Sequence, residues 1–451
     1  MDCLRAMNLL RLSMSPKNPQ SSSEIGQPEN ATVVQSAEHN INPEKISANA
    51  LKVLDALTTA GFEAYLVGGG VRDLLLGLSP KDFDIATSAS PEEIKPLFRN
   101  CRLIGRRFRL AHVVFGREVI EVATFRADHG QGEGGESRAD GRIVRDNVFG
   151  TVEEDALRRD FTINALYYAN HDAAVLDFVG ALEDIKSRTL RLIGEPDVRV
   201  KEDPVRCLRA ARFSAKLGFD VATDVRQAMT EHAHLLRDIP PARLFEEVLK
   251  LFHSGHAVQS FDKLREFDLL QYLFPVADDR LKRDDARFEA FVYQALQNTD
   301  DRIAEGKPVT PAFLYAVMLW PQVEKLAQDY LDEEPPVTAI LRAADSVVTA
   351  QMAYTSLPKR FSVPMREIWA MQPRLERYQG KRALHLLRSA RFRAGYDFLL
   401  LRSHVDSNLR ERADWWTKTQ ESHPVEPDHG RRFPRTRSGK SSRSGTKSRA
   451  S

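Results

Sequence analysis

Apolar residues at Ile46, Ala50, Val53, Leu54 and Leu57 recur at helical spacing from about Pro43, and they lead into the strand-like run Ala64-Tyr65-Leu66-Val67. Up to about residue 195, short apolar runs read as further strands at Phe83 to Ala86, Leu110 to Phe115, Val119 to Ala123 and Ala174 to Phe178, with helices expected over 71–77 and 91–98. This mixture predicts an α+β domain over 44–195. From Asp203 onward strand signals nearly vanish. Val205, Leu208, Ala211 and Phe213, then Leu244, Val248, Leu249 and Phe252, keep a helical period. An all-α half is expected, in two parts over 196–270 and 271–420.

Three segments lack a periodic apolar pattern. Residues 1–43, rich in Ser, Asn, Gln and Pro, bury too little to offset ordering and are expected to be disordered. A disordered basic tail is expected over 421–451. Ala127 to Asn147 carries five glycines among many charges and reads as a long mobile loop.

Composition narrows the function class. The 451 residues are 42% apolar, and no run of about 18 apolar residues is present, which excludes a membrane-spanning helical protein. The three cysteines, Cys3, Cys101 and Cys207, have neither disulfide-framework nor zinc spacing, so a reducing, cytoplasmic setting is expected. The formal net charge of +2 conceals an asymmetry. Gly430 to Ser451 holds eight Lys or Arg and no acid, so the chain before it carries −6; Met365 to Arg402 holds a local +6, leaving −12 for the remainder. A basic tail of this kind suits an anionic partner such as nucleic acid.

The chemistry is concentrated in Leu66-Val67-Gly68-Gly69-Gly70-Val71-Arg72-Asp73 and the following Lys81-Asp82-Phe83-Asp84-Ile85. A strand that ends in glycines and opens a helix offers bare backbone N–H groups to phosphate, and Arg72 can add a charged fork. Asp82 and Asp84, at i and i+2 of a predicted strand, project from one face. Two carboxylates side by side need a cation, and Mg²⁺ takes oxygen ligands; an ion pair about 3.5 to 4 Å apart can clamp both oxygens of an in-line phosphoryl displacement. A third carboxylate has two candidates, Glu121 in an apolar strand pattern and Asp160 in Arg158-Arg159-Asp160-Phe161-Thr162. Asp203 before Pro204 reads equally as a helix start or, with Arg206 and Arg209 on one helical face, as a base-edge reader.

These segments resemble, in order and spacing, the motifs of the class II nucleotidyltransferases of the DNA polymerase beta superfamily, which includes CCA-adding enzymes and bacterial poly(A) polymerases. The matching residues are Gly68-Gly69-x-Val71-Arg72-Asp73, Asp82-x-Asp84, Arg158-Arg159-Asp160-Phe161-Thr162-x-Asn164-Ala165 and Glu202-Asp203-x-x-Arg206, across about residues 45 to 270. One departure is Gly70, where the family often has Ala. Leu103 to Val113, with Arg106, Arg107 and Arg109, looks like the element that marks the bacterial poly(A) polymerases.

The resemblance implies a polymerase-beta-like head and transfer of AMP from ATP to RNA 3′ ends without a template. It implies that Asp82 and Asp84 bind two Mg²⁺ ions, with Asp160 the family's usual third acidic position and Glu121 the rival favoured by the strand pattern. Gly68, Gly69 and Arg72 are then expected at the triphosphate, Arg159 and Asn164 near the sugar, and Asp203, Arg206 and Arg209 at the adenine edge and phosphates. Arg106, Arg107 and Arg109, with Arg431, Arg432, Arg435 and Arg437 of the tail, are expected to grip RNA phosphates. RNA-decay proteins are the expected protein partners. The alternatives are a CCA-adding enzyme and a non-catalytic RNA-binding adaptor.

Overall fold

In the computed structural model, which describes residues 30–105, 109–127, 149–378 and 381–424, the chain divides into two compact units. The first takes the chain up to Ile239 together with Gln259–Leu269, and the second takes Pro240–Val258 and the chain from Leu270 onward. The helical stretch expected over 196–270 is thus shared between the units, and its first part folds with the sheet.

The sheet of the first unit contains β1 (Thr32–Val34), β2 (Ala64–Val67), β3 (Asp84–Thr87), β4 (Cys101–Ile104), β5 (Leu110–Phe115), β6 (Glu118–Thr124), β7 (Leu166–Tyr168) and β8 (Val175–Asp177). Their order is β1-β8-β7-β2-β3-β6-β5-β4. Every neighbouring pair is antiparallel except β3 and β6, which run parallel in register Asp84↔Glu121.

Side-chain alternation gives the sheet two buried faces. On one, Leu66, Ile85, Val113 and Val122 form a core with Leu54 and Leu57 of α1 (Ala48–Thr59), Val71 and Leu74 of α2 (Gly69–Leu75) and Ile94 of α3 (Pro91–Leu97). Each such burial contributes about 1.5–3 kcal/mol. On the other, Tyr65, Val67, Ala86, Phe125 and Tyr167 pack with Val152 and Ala156 of α4 (Val152–Leu157). Because Ile85 and Val122 face the first core, their chain neighbours Asp84 and Glu121 face the opposite side.

β1 lies inside the stretch expected to be disordered. Thr32–Val34 pairs with β8, Ala31 and Val33 pack against the second core, and Val34 packs against the first. Val33 and Val34, half-buried on opposite faces, offset the ordering of this strand through partners about 140 positions away. β4 and β7 were likewise absent from the apolar runs read as strands.

Helices α5 (Ala181–Lys186), α6 (Pro196–Glu202), α7 (Val205–Leu217) and α8 (Thr223–His232) complete the described helical part of this unit up to residue 232. A small parallel pair, β9 (Thr189–Leu190) with β10 (Asp220–Val221), places one short strand where strand signals had nearly vanished. α7 ends at Gly218, whose φ of +66° closes the helix in the left-handed region.

Among the described residues the second unit is helical, from α9 (Pro241–Phe252) to the helix at Arg410–Ser422. Helices Lys359–Glu376 and Phe392–Val405 approach closely at Gly395, where an added Cβ would lie 2.6 Å from Met371 Cγ. The basic stretch Met365 to Arg402 is not a bare cationic stripe. Arg366 pairs with Asp345, Arg391 with Glu367, Arg393 with Asp397, and Arg402 with Glu324 and Glu376. No helix among the described residues is long and apolar enough to cross a membrane.

Candidate active site

The glycine turn forms where sequence analysis places it, between β2 and α2. Gly68 adopts φ +74° and ψ −138°, a conformation that only glycine takes without strain. Its N–H donates to the Leu166 carbonyl of β7 at 3.3 Å. The amides of the first turn that follows have no carbonyl one turn back to bond, the ordinary state of a helix start. Cβ atoms added here would show the turn's neighbours: at Gly68, Arg159 Nη1 at 3.4 Å; at Gly70, the Asp82 carbonyl oxygen at 3.5 Å. The turn is therefore bracketed by Asp82 and Arg159. At Gly70, an alanine methyl would make ordinary contact.

Arg72 is placed differently from the expectation of an open phosphate ligand. It is 2% exposed. Its Nε and Nη2 both donate to Asp73 Oδ1, at 2.8 and 2.6 Å, and its Nη1 donates to Asn164 Oδ1 at 2.5 Å. Lys216 of α7 holds the other Asp73 oxygen at 3.1 Å. The guanidinium thus braces the turn from beneath and ties Asn164 and α7 to it. Leaving either half of such a buried pair alone costs about 3–5 kcal/mol.

The carboxylates lie in a row across the sheet. Register pairs Tyr167 with Val67, Val67 with Asp84, Asp84 with Glu121, and Glu121 with His112, so these five residues stand side by side on β7, β2, β3, β6 and β5. Asp82 lies just before β3, outside the strand in which sequence analysis placed it. Asp84 and Glu121 are both exposed, and His112 Nε2 sits 3.4 Å from Glu121 Oε1. Asp84 is pushed up to about 6, first by the desolvating protein around it, then by Glu121 and Asp82, against the pull of Arg159.

Asp160 has a different environment. Burial alone would raise its carboxyl, but it is held below the usual range by Arg209, the Phe161 N–H and Asn164. Arg209 Nε and Nη2 reach Asp160 Oδ2 at 2.6 and 2.5 Å, and the Phe161 N–H reaches Oδ1 at 2.8 Å. With its oxygens so committed, Asp160 anchors α7 to the segment after α4. Glu121 instead stands beside Asp84 on the neighbouring strand, the second carboxylate of the row.

The three residues expected at the adenine edge have separate partners. Asp203, just before the Pro204 N-cap of α7, accepts the Val205 N–H at 3.2 Å. Arg206 donates to Glu202 and to the Arg199 carbonyl, and Arg209 reaches Asp160. Arg72, Arg209 and Arg212 all lie over the Phe213 ring, at 5.5, 5.3 and 4.5 Å from its centroid. Phe213 was not singled out as a site residue, although its spacing had marked it as helical. Of the basic turn, Arg109 pairs with Glu92 at 2.6 Å on the surface. Arg106 and Arg107 lie outside the described residues, as do Arg431, Arg432, Arg435 and Arg437 of the tail and the glycine-rich segment from 128 to 148.

Residues 64–191 match the Poly A polymerase head domain, 218–281 the probable RNA and SrmB-binding site of polymerase A, and 332–450 the polymerase A arginine-rich C-terminus. Poly(A) polymerase I of Salmonella typhimurium is 46% identical over 434 residues, 94% of this chain and 92% of the relative. A CCA-adding enzyme of Lactobacillus helveticus is 40% identical over 47% of this chain and 51% of its own. Among solved structures, an apo CCA-adding enzyme shares the fold with a TM-score of 0.55 at 19% identity, covering 88% of this chain and 89% of that one.

Proposed function

Because the chain belongs to the poly(A) polymerase family, we propose that its carboxylate row transfers AMP from ATP to the 3′ hydroxyl of RNA, without a template and with release of pyrophosphate. It is a template-independent nucleotidyltransferase. The observation that carries the residue-level reading is the register of Asp84 beside Glu121, one strand away from the glycine turn.

Asp82, Asp84 and Glu121 present carboxylate oxygens, the donor type that Mg²⁺ takes, and a divalent cation would offset both the desolvation and the neighbouring carboxylates that lift Asp84. Held by these carboxylates, two Mg²⁺ ions would supply acidity toward the 3′ hydroxyl and charge that offsets the triphosphate. The chain's own residues do the positioning. The glycine turn gives backbone donors to the triphosphate, Arg159 lies against that turn and pulls electrostatically on Asp84, and Arg72 holds the turn and Asn164 in place. The Asp160–Arg209 pair sets α7, which carries Arg206, against the same site. The nucleophile is the RNA 3′ oxygen; it bonds to the α-phosphorus as the bond to the pyrophosphate oxygen breaks.

Arg106, Arg107 and Arg109 and the tail arginines add phosphate contacts that carry no sequence information, which suits a polymer advancing after each addition. Cys101 and Cys207 are free thiols, in keeping with work in the reducing cytoplasm, where RNA-decay proteins are the partners of such tailing. The test is incubation with an unstructured RNA primer and each nucleoside triphosphate singly. Long tails with ATP alone are expected. Addition that needs CTP and stops after about three residues, as the CCA-adding alternative requires, would overturn the reading.

A further inference from the structure

Arg159 is gripped by two residues that the sequence motifs do not single out. Asp155 lies one helical turn before it, and Asp155 Oδ2 receives Arg159 Nη2 at 2.9 Å and Nε at 3.3 Å. The Tyr167 hydroxyl completes a ring, donating to the same Oδ2 at 2.8 Å and accepting from Arg159 Nε at 2.9 Å. On the far side, Arg159 Nη1 donates to the Asn164 carbonyl at 3.2 Å, and its guanidinium carbon lies 5.1 Å from the Tyr167 ring centroid. The other Asp155 oxygen accepts the Arg126 N–H at 3.4 Å, which orients the carboxylate.

These contacts use three of the five guanidinium N–H groups and leave one on each terminal nitrogen. The Arg159 side chain keeps 23% exposure, whereas that of Asp155 keeps 11% and Tyr167 is fully buried. The holders are inside and the held group reaches the surface. Register adds direction, because Tyr167 stands in the same row as Asp84 and two strands from it, about 10 Å. Arg159 is bonded to Tyr167, lies against Gly68 and exerts an electrostatic pull on Asp84.

We propose that Asp155 and Tyr167 are positioning residues for the nucleotide site. They clamp Arg159 against the glycine turn, so that its two remaining N–H groups meet the incoming ATP in one orientation. The proposal rests on the AMP-transfer reading. Tyr167 is suited to the task because burial, then Asp155, raises its hydroxyl well above the ordinary tyrosine range, keeping the proton that closes the ring. Without the hydroxyl, Arg159 Nε loses its best-aligned acceptor and the fork can turn away.

The test uses the full chain carrying Tyr167→Phe, Asp155→Asn, Arg159→Ala and the double variant Tyr167→Phe/Arg159→Ala, assayed by primer extension with ATP and RNA varied independently. Thermal melting verifies folding. The expected result for Tyr167→Phe is an increase in KM for ATP of about tenfold, the scale of one hydrogen bond to a charged group. KM for RNA should stay within about twofold, since the clamp faces the nucleotide. In the Arg159→Ala background, Tyr167→Phe should add nothing further, whereas a residue that merely supports the core would act equally in both backgrounds. An unchanged KM for ATP in a folded Tyr167→Phe protein, or an equal effect in both backgrounds, would overturn the proposal. Failure of the unaltered protein to extend RNA with ATP would instead overturn the reading on which it rests.

Discussion

Replacing Glu121 by Gln and Asp160 by Asn separates two roles that sequence motifs leave interchangeable. Glu121 pairs in register with Asp84 on the adjacent strand, so the two carboxylates stand about 5 Å apart. At an effective dielectric of about 20, two unit charges at that separation repel by about 3 kcal/mol. A cation bound between them gains at least that much from Glu121, so Glu121→Gln should lower turnover at subsaturating Mg²⁺ by about 100-fold or more. Melting should change little, because the Glu121 side chain is 48% exposed. Asp160→Asn should do the reverse. It leaves Arg209 without its charged partner and loosens α7, costing about 1–3 kcal/mol of stability. Turnover at saturating ATP and Mg²⁺ should then remain within about tenfold of the unaltered enzyme, because the Asp160 oxygens are already taken by Arg209 and the Phe161 N–H. Initial rates across a Mg²⁺ series, with urea unfolding of the same samples, measure both quantities. Near-normal turnover in Glu121→Gln, together with a Mg²⁺-dependent collapse in Asp160→Asn, would refute the assignment.

Two further perturbations probe the fold around and beyond the site. Gly68→Ala places a methyl on a residue at φ +74° and should cost about 1–3 kcal/mol in thermal melting, whereas Gly70→Ala, helical and with ordinary contact distance, should be neutral or stabilising by up to about 1 kcal/mol. His253 is pushed down to about 4 by burial, so the unfolded chain takes up its proton first as pH falls. Stability from this group is complete above about pH 7, decreases as pH falls, and is already about 1.4 kcal/mol lower at pH 5.5. Urea unfolding at pH 8 and 5.5 should show this extra loss in the unaltered protein and its absence in His253→Gln; equal losses in both would contradict it.

Much of the site could be read from the chain because its signals are local. Ala64 to Val67 is a strand at the limits its apolar run indicates, and the following glycines do form the turn, with Gly68 in a conformation that requires them. What escaped depended on partners far away in sequence. β1 is three residues long and gains its place through β8, so no local run announces it. Glu121 and Asp160 look alike as isolated acids, and only strand register and the reach of Arg209 separate them. The direction of Arg72 was also hidden, because the fork that could have faced phosphate is drawn inward by its neighbour Asp73 and by Asn164, ninety-two positions on. Asp155 had one faint signal, an acid one helical turn before Arg159, while Tyr167 had none until β7 placed it beside β2.

The central claim is that Asp84 and its row transfer AMP to RNA. Its most direct measurement is pyrophosphate release with ATP, an RNA primer and Mg²⁺, comparing the unaltered protein with Asp84→Asn, a change that keeps the side chain's shape and melting behaviour. Release in step with primer lengthening is expected for the former, and none above background for the latter while it melts normally. A folded Asp84→Asn protein that releases pyrophosphate and lengthens the primer at the unaltered rate would contradict it.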